Sequence, residues 1–227
     1  MKRYSTVCAA SLCFIAIATP VLATPVLDQA YDARATGVDG GTSIQSGQIV
    51  YQTFTVGVTG TLDSIDLQVV QSSQGVPTGD LVVDILATTN GTPDLASVLG
   101  SGSVAGTDLP AFSFTDGQFT NVDLSAAGIE VTSGDVLAFR LRPVLSTDFF
   151  TIADRDGLLP DYTGGAFFVT RGIDNPPVSA NDSDAGFRTY VEPVPEPSSL
   201  ALLGLGGLLV ARRPSCSPAR RRSARGR

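Results

Sequence analysis

The sequence predicts an all-β body, an antiparallel β-sandwich of jelly-roll type, lying between two end segments of different character. Three observations carry this. Short runs rich in Val, Ile, Thr, Tyr and Phe recur at near-regular spacing between glycines, aspartates and asparagines, as in sandwiches and barrels. The run Leu62–Val69 alternates apolar and polar residues with a period of two, the sign of a half-buried strand. No stretch of the body shows helical periodicity, and no repeat of solenoid or propeller length is present.

Taken in order, residues 24–48 form a Gly-, Asp- and Thr-rich lead-in, expected to be partly mobile, so the core is expected over about 48–191. The first strand is predicted over Ile49–Val56, where Tyr51, Thr53 and Phe54 favour extended backbone. Leu62–Val69 alternates, so Ile65, Leu67 and Val69 are expected to face the core. Pro77 and Gly79 mark a loop. Leu81–Ala87 is almost continuously apolar and is expected to be central. Asn90-Gly91 predicts a tight turn into a weaker strand over Ala96–Val104; the rival is a short helix over Ala87–Gly100. Strands are also predicted at Asn121–Leu124, Val136–Leu141, Phe149–Ala153, Ala166–Arg171 and Gly186–Val191. Of Phe167 and Phe168, one is expected inside.

The N-terminus reads as a secretory signal peptide over residues 1–23. Lys2 and Arg3 are basic, Val7–Ala18 is apolar, and small residues precede a cut between Ala23 and Thr24. From Thr24 to Val194 there are six arginines, no lysine and 21 acidic residues, a balance of 6 − 21 = −15, against −7 for the whole chain. A body this acidic repels nucleic acid and anionic lipid. Cys8, Cys13 and Cys216 all lie outside it, so the body is expected to be stabilised by its core and not by a disulfide.

The C-terminus has three parts in fixed order: Pro195-Glu196-Pro197; an uncharged run carrying Leu200, Leu202, Leu203, Leu205, Leu208 and Leu209; and Arg212-Arg213. The prolines impose extended backbone and withhold donors, the form a protease cleft accepts. The 15 uncharged residues from Pro197 to Ala211 would span about 22 Å as a helix, short against about 30 Å of hydrocarbon. The length suffices for a transient membrane contact, with the arginines held on the cytoplasmic side. A surface helix of the globule is disfavoured, because the leucines cover most of the circumference and leave no polar face.

This combination resembles the PEP-CTERM sorting signal, with residues 193–213 as the sorting and anchor segment and 214–227 as a basic tail. Sequences of that kind usually stop soon after the arginines, whereas here Pro214–Pro218 leads on to Arg220-Arg221-Arg222. The resemblance implies signal peptidase and an exosortase-type membrane protease as partners, and a destination at the cell surface or in the extracellular matrix. A second likeness lies in the body. Gln52-Thr53-Phe54, Gly91-Thr92-Pro93, Val122-Asp123-Leu124, Gly134-Asp135-Val136-Leu137-Ala138 and Phe187-Arg188-Thr189-Tyr190 together resemble a "choice-of-anchor" domain of exported bacterial surface proteins. Its fold is similar to jelly-roll carbohydrate-binding modules. These motifs are turns and core positions and transfer no catalytic residue.

The chain has no histidine, and the body has neither cysteine nor lysine. Triads of Ser-His-Asp or Cys-His type, histidine- or thiolate-held metals and Schiff bases are excluded from it. Paired carboxylates leave a secreted glycosidase as a remote reading. Asp154 with Asp156, and Asp182 with Asp184, place oxygen ligands at i and i+2 on expected loops, a pattern that suits calcium, although neither matches a full EF-hand loop. Tyr162, followed by Thr163-Gly164-Gly165, is the candidate aromatic for stacking on a sugar, with Tyr31 and Tyr51 behind it. The sequence thus points to an exported, non-enzymatic structural or adhesive protein with no required cofactor. An exopolysaccharide-binding module is the alternative.

Overall fold

The computed structural model describes residues 23–33, 40–113, 117–156, 162–171, 175–180 and 183–194. All of them lie in a compact unit that ends at Val194; Pro195–Arg227 forms a second unit outside the described residues. Sixteen strands follow in chain order: β1 (Val26–Tyr31), β2 (Thr42–Ile44), β3 (Ile49–Thr55), β4 (Gly60–Leu67), β5 (Val69–Gln71), β6 (Asp80–Thr89), β7 (Thr92–Ala105), β8 (Thr120–Asp123), β9 (Ile129–Val131), β10 (Val136–Pro143), β11 (Phe150–Ile152), β12 (Asp154–Asp156), β13 (Phe167–Thr170), β14 (Val178–Ser179), β15 (Ser183–Ala185) and β16 (Phe187–Pro193). Helical structure among the described residues is confined to two 3-10 turns, Gly106–Asp108 and Ser125–Ala127. None of it is long and apolar enough to cross a membrane.

Every ladder between these strands is antiparallel. One sheet runs β1-β16-β4, with β8 and β9 sharing the far side of β4; the larger runs β14-β13-β3-β10-β6-β7. Two small ladders, β2-β11-β5 and β12-β15, lie beside them. The main sheets enclose one apolar core. Leu62, Ile65, Leu67, Val122, Phe187 and Val191 come from the first sheet, and Phe54, Val83, Ile85, Phe139, Leu141 and Phe167 from the second. Phe187 centres the contact: its ring lies 6.0 Å from that of Phe54 and 5.5 Å from that of Phe139.

The inward set on β4 shows how the sequence solves a parity problem. Leu62 and Ile65 are three apart, so a regular strand would send them to opposite faces. The ladder to β16 pairs Val191 with Leu62 but Tyr190 with Ser64. Asp63 is therefore an extra, bulged residue, and both Leu62 and Ile65 are fully buried.

One expectation needs correction. The lead-in is not merely a mobile approach: it contains β1, which pairs with the last strand β16, and β2, whose Ile44 is fully buried. The rival helix over Ala87–Gly100 does not form. Asn90 at φ 53° and Gly91 at φ 77° make the tight turn that joins β6 to β7, as two left-handed residues do. Phe167 and Phe168 are both buried, on opposite faces: Phe167 joins the main core, and Phe168 joins Ile49 and Tyr51 in a second cluster on the outer face of the larger sheet.

Candidate functional site

Of the acidic residues expected to hold calcium, Asp154 and Asp184 come together, but on a ladder and not on loops. Asp154 stands opposite Ala185, and Arg155 opposite Asp184. Side chains alternate along a strand, so this register sends Asp154 and Asp184 to opposite faces of the ladder, and they do not converge on one point. Each has protein donors. Thr42 Oγ1 donates to Asp154 Oδ2 at 2.6 Å. Gln52 Nε2 donates to Asp184 Oδ1 at 2.8 Å, and the Tyr162 backbone N–H donates to Asp184 Oδ2 at 2.9 Å. No group of three potential metal-ligating side chains occurs among the described residues. Asp182 and the Asp156 side chain lie outside them.

Two buried glutamines organise this end of the sandwich, and sequence reasoning passed over both. Gln52 is fully buried; besides holding Asp184, its Oε1 accepts the Ala185 N–H at 3.0 Å. Gln68 is also buried. It donates to Asp32 Oδ1 at 2.6 Å and accepts the Ala33 N–H at 3.0 Å, which ties the chain after β1 to the junction of β4 and β5. Gly186 lies so close that a Cβ there would overlap the Gln68 amide. The available signal was an amide in the middle of a strand-forming run, as in Tyr51-Gln52-Thr53-Phe54. Such a side chain is buried only with its hydrogen bonds made.

Tyr162 is half-buried, not displayed as a platform. Its ring sits edge-on to Phe187 at 5.1 Å and 85°, and 6.2 Å from Tyr31. Its hydroxyl donates to Gln29 Oε1 at 2.8 Å. Burial pushes its pKa up to about 12. Tyr51 is fully buried.

The other polar constellation lies on the outer face of the larger sheet. The registers set Phe168, Tyr51, Arg140, Asp84 and Ser101 in one row across five strands. Asp84 is only 1% exposed. It accepts from Arg140 Nε at 2.9 Å and Nη2 at 2.7 Å, Arg142 Nε at 2.8 Å and Ser101 Oγ at 2.6 Å. Burial alone would raise its pKa; hydrogen bonds from Arg142, Ser101 and Arg140, with the Arg140 charge, outweigh burial and hold it below 3.8. All donors converge on one carboxylate, so the arrangement is an ion-pair triad suited to holding strands in register.

The predicted signal-cleavage pair, Ala23 and Thr24, lies three residues or fewer before β1, with Thr24 exposed. The sorting residues Pro195, Glu196 and Pro197, the leucines of the apolar run, Arg212 and Arg213 lie outside the described residues. The last described hydrogen bond before them runs from the Val194 N–H to the Thr59 carbonyl at 3.4 Å.

No curated protein matches the chain in sequence. Among solved structures it is similar to the cysteine protease and lectin-like domains of Cwp84, a surface layer associated protein of Clostridium difficile, at 11% identity and a TM-score of 0.45, covering 68% of this chain and 36% of that one. It is similar also to the clostridial cysteine protease Cwp84 after propeptide cleavage, at 12% identity and a TM-score of 0.47, covering 67% and 38%. The chain thus spans well under half the length of either. Residues 193–213 match the PEP-CTERM protein-sorting motif. That match implies export, processing by an exosortase-type membrane protein, and a surface or extracellular location. The described residues form a β-sandwich whose last strand runs into a PEP-CTERM protein-sorting motif.

Proposed function

We propose that this protein is a non-enzymatic structural or adhesive component of the cell surface or extracellular matrix, delivered there by an N-terminal signal peptide and its C-terminal motif. The observation that carries the reading is the sorting motif at 193–213, whose first residue is the last residue of β16. The composition of the body supports it, since without histidine, cysteine or lysine the commonest nucleophile–base pairs are missing.

The fold supports a load-bearing role. β16 lies between β1 and β4 and is hydrogen-bonded along both edges, from Val191 to Phe187 on one side and from Pro193 to Phe187 on the other. A pull applied at the C-terminal end therefore acts along a strand clamped on both sides. Many inter-strand bonds would have to shear together before it moved, unlike an edge strand, which can be peeled away bond by bond.

The test is Glu196→Ala in the native host, with processing followed by intact mass and cell fractionation. The proposal expects the variant to accumulate as unprocessed precursor at the inner membrane while the parent chain is cut near residues 195–197. Normal processing of the variant, or a parent chain found whole in the cytoplasm, would overturn it. Retention of the body on an exopolysaccharide column would instead favour a glycan-binding role.

A further inference from the structure

A sheet edge is a template for another strand, and proteins usually blunt such edges with charge, proline, bulges or brevity. The edges described here are treated unequally. β1 is broken by a bulge between Leu27 and Gln29, and the intervening Asp28 turns its carboxylate onto the Gly57 and Val58 N–H groups. β14 has two residues, and β2 and β5 have three each. β8 and β9 are separated by the 3-10 turn at Ser125–Ala127.

β7 is the exception. It has 14 residues, borders the larger sheet, and pairs only with β6 among the described strands. Its ladder is interrupted near Leu99, but from Asp80↔Ala105 to Ile85↔Gly100 the pairing is unbroken. The free edge of Gly100–Ala105 is therefore about 20 Å long at the usual strand rise. No charged residue occurs from Leu95 to Ala105, and Ser101 and Ser103 are exposed. Its glycines have a separate cause. A Cβ on Gly100 would meet Ala127 Cβ at 2.7 Å, and one on Gly102 would meet the Asp123 carbonyl at 2.5 Å. They let the two sheets close at this corner.

From this we infer that the Gly100–Ala105 edge of β7 pairs antiparallel with the same edge of a second copy, extending the larger sheet across a two-fold axis. The charge distribution selects the partner. Two bodies of balance −15 repel in general, and they can approach best where neither presents a charge. The carboxylate bonded to this strand, Asp84, is held by two arginines, a local balance of +1 that partly offsets the exposed Asp80, opposite Ala105, and Asp123, beside Gly102. The sequence is also self-compatible. A two-fold axis normal to the sheet places one residue opposite itself, and centring on Ser103 or Gly102 opposes only small or apolar side chains. The same operation on β1 would bring two copies of Asp28 together. Such a contact is isologous and closes at a dimer.

The test uses the full chain in density-matched detergent. Sedimentation equilibrium is expected to show a monomer–dimer equilibrium. Ser103→Lys, which sets like charges near each other across the axis, is expected to weaken it by about fivefold or more without lowering the Tm measured at concentrations where the chain is monomeric. In a background with Cys8, Cys13 and Cys216 changed to serine, Ser103→Cys is expected to cross-link with a short bis-maleimide reaching opposed or diagonal positions, about 5 to 8 Å. Leu27→Cys, also exposed, on the β1 edge, is expected not to. A mass that stays monomeric overturns the inference. So does dimerisation unaffected by Ser103→Lys, or cross-linking that is as strong at position 27 as at position 103.

Discussion

Changing Asp84 to asparagine keeps the shape of the side chain and removes the charge on which Arg140 and Arg142 converge. An amide oxygen could still accept one guanidinium bond, but the amide nitrogen would face a second guanidinium, donor against donor. Removing one partner of a buried ion pair costs about 3–5 kcal/mol. Arg140 is 12% exposed and Arg142 30% exposed, so Arg142 can turn to water and soften the loss. The expected cost is therefore near the lower limit, about 3 kcal/mol. For a domain of this size that corresponds to a fall in Tm of roughly 6–12 °C. Urea unfolding of residues 24–194 and of the Asp84→Asn variant, from pH 7 to pH 2, measures it. The sign follows from linkage: the folded pKa of Asp84 lies below 3.8, so its contribution is present above about pH 4 and lost as pH falls through the lower folded value. The two proteins should differ fully at pH 7 and converge at the acid end. A difference under 1 kcal/mol at pH 7, or one that does not shrink in acid, would refute the triad as a stabilising element.

Three further outcomes follow from the packing. Phe187→Ala should cost about 3–5 kcal/mol in urea unfolding, since its ring contacts Phe54, Phe139 and Tyr162; a loss under 1 kcal/mol would mean that the two sheets do not meet there. Gln52→Ala strands the Ala185 N–H and takes a donor from Asp184, an expected loss of about 1–3 kcal/mol, whereas an unchanged denaturation midpoint would show the network to be dispensable. Tyr162, with its pKa pushed up to about 12, should make folding stability decline from about pH 10 as the unfolded chain ionises first. In Tyr162→Phe that part of the alkaline decline should be absent, and identical pH profiles would contradict the burial of the hydroxyl.

Much of the fold was legible because its signals are local. Alternation over Leu62–Val69 named three core residues, Ile65, Leu67 and Val69, and all are fully buried. Asn90-Gly91 named its hairpin, and the strongest apolar runs named β3, β6 and β10. The failures share one cause. β1 is ordered by β16, about 160 residues away, and nothing within Val26–Tyr31 advertises that partner. The acidic motifs at 154–156 and 182–184 were legible as oxygen-rich segments. That Asp154 and Asp184 lie on one ladder, and face opposite ways across it, depends on register alone. Asp84 looked like any other strand aspartate until β10 delivered Arg140 and Arg142 beside it.

The sequence by itself determined the class of fold, the exclusion of histidine and thiol chemistry from the body, and the sorting motif at residues 193–213. Each depends on residue types and on spacings of a few positions, which act along the chain. Only the tertiary structure decided which edges remain open, which carboxylates are buried, and whether Tyr162 is displayed or packed. Those outcomes depend on how distant strands align, and a slip of one residue in a ladder would turn every side chain of the strand to the other face.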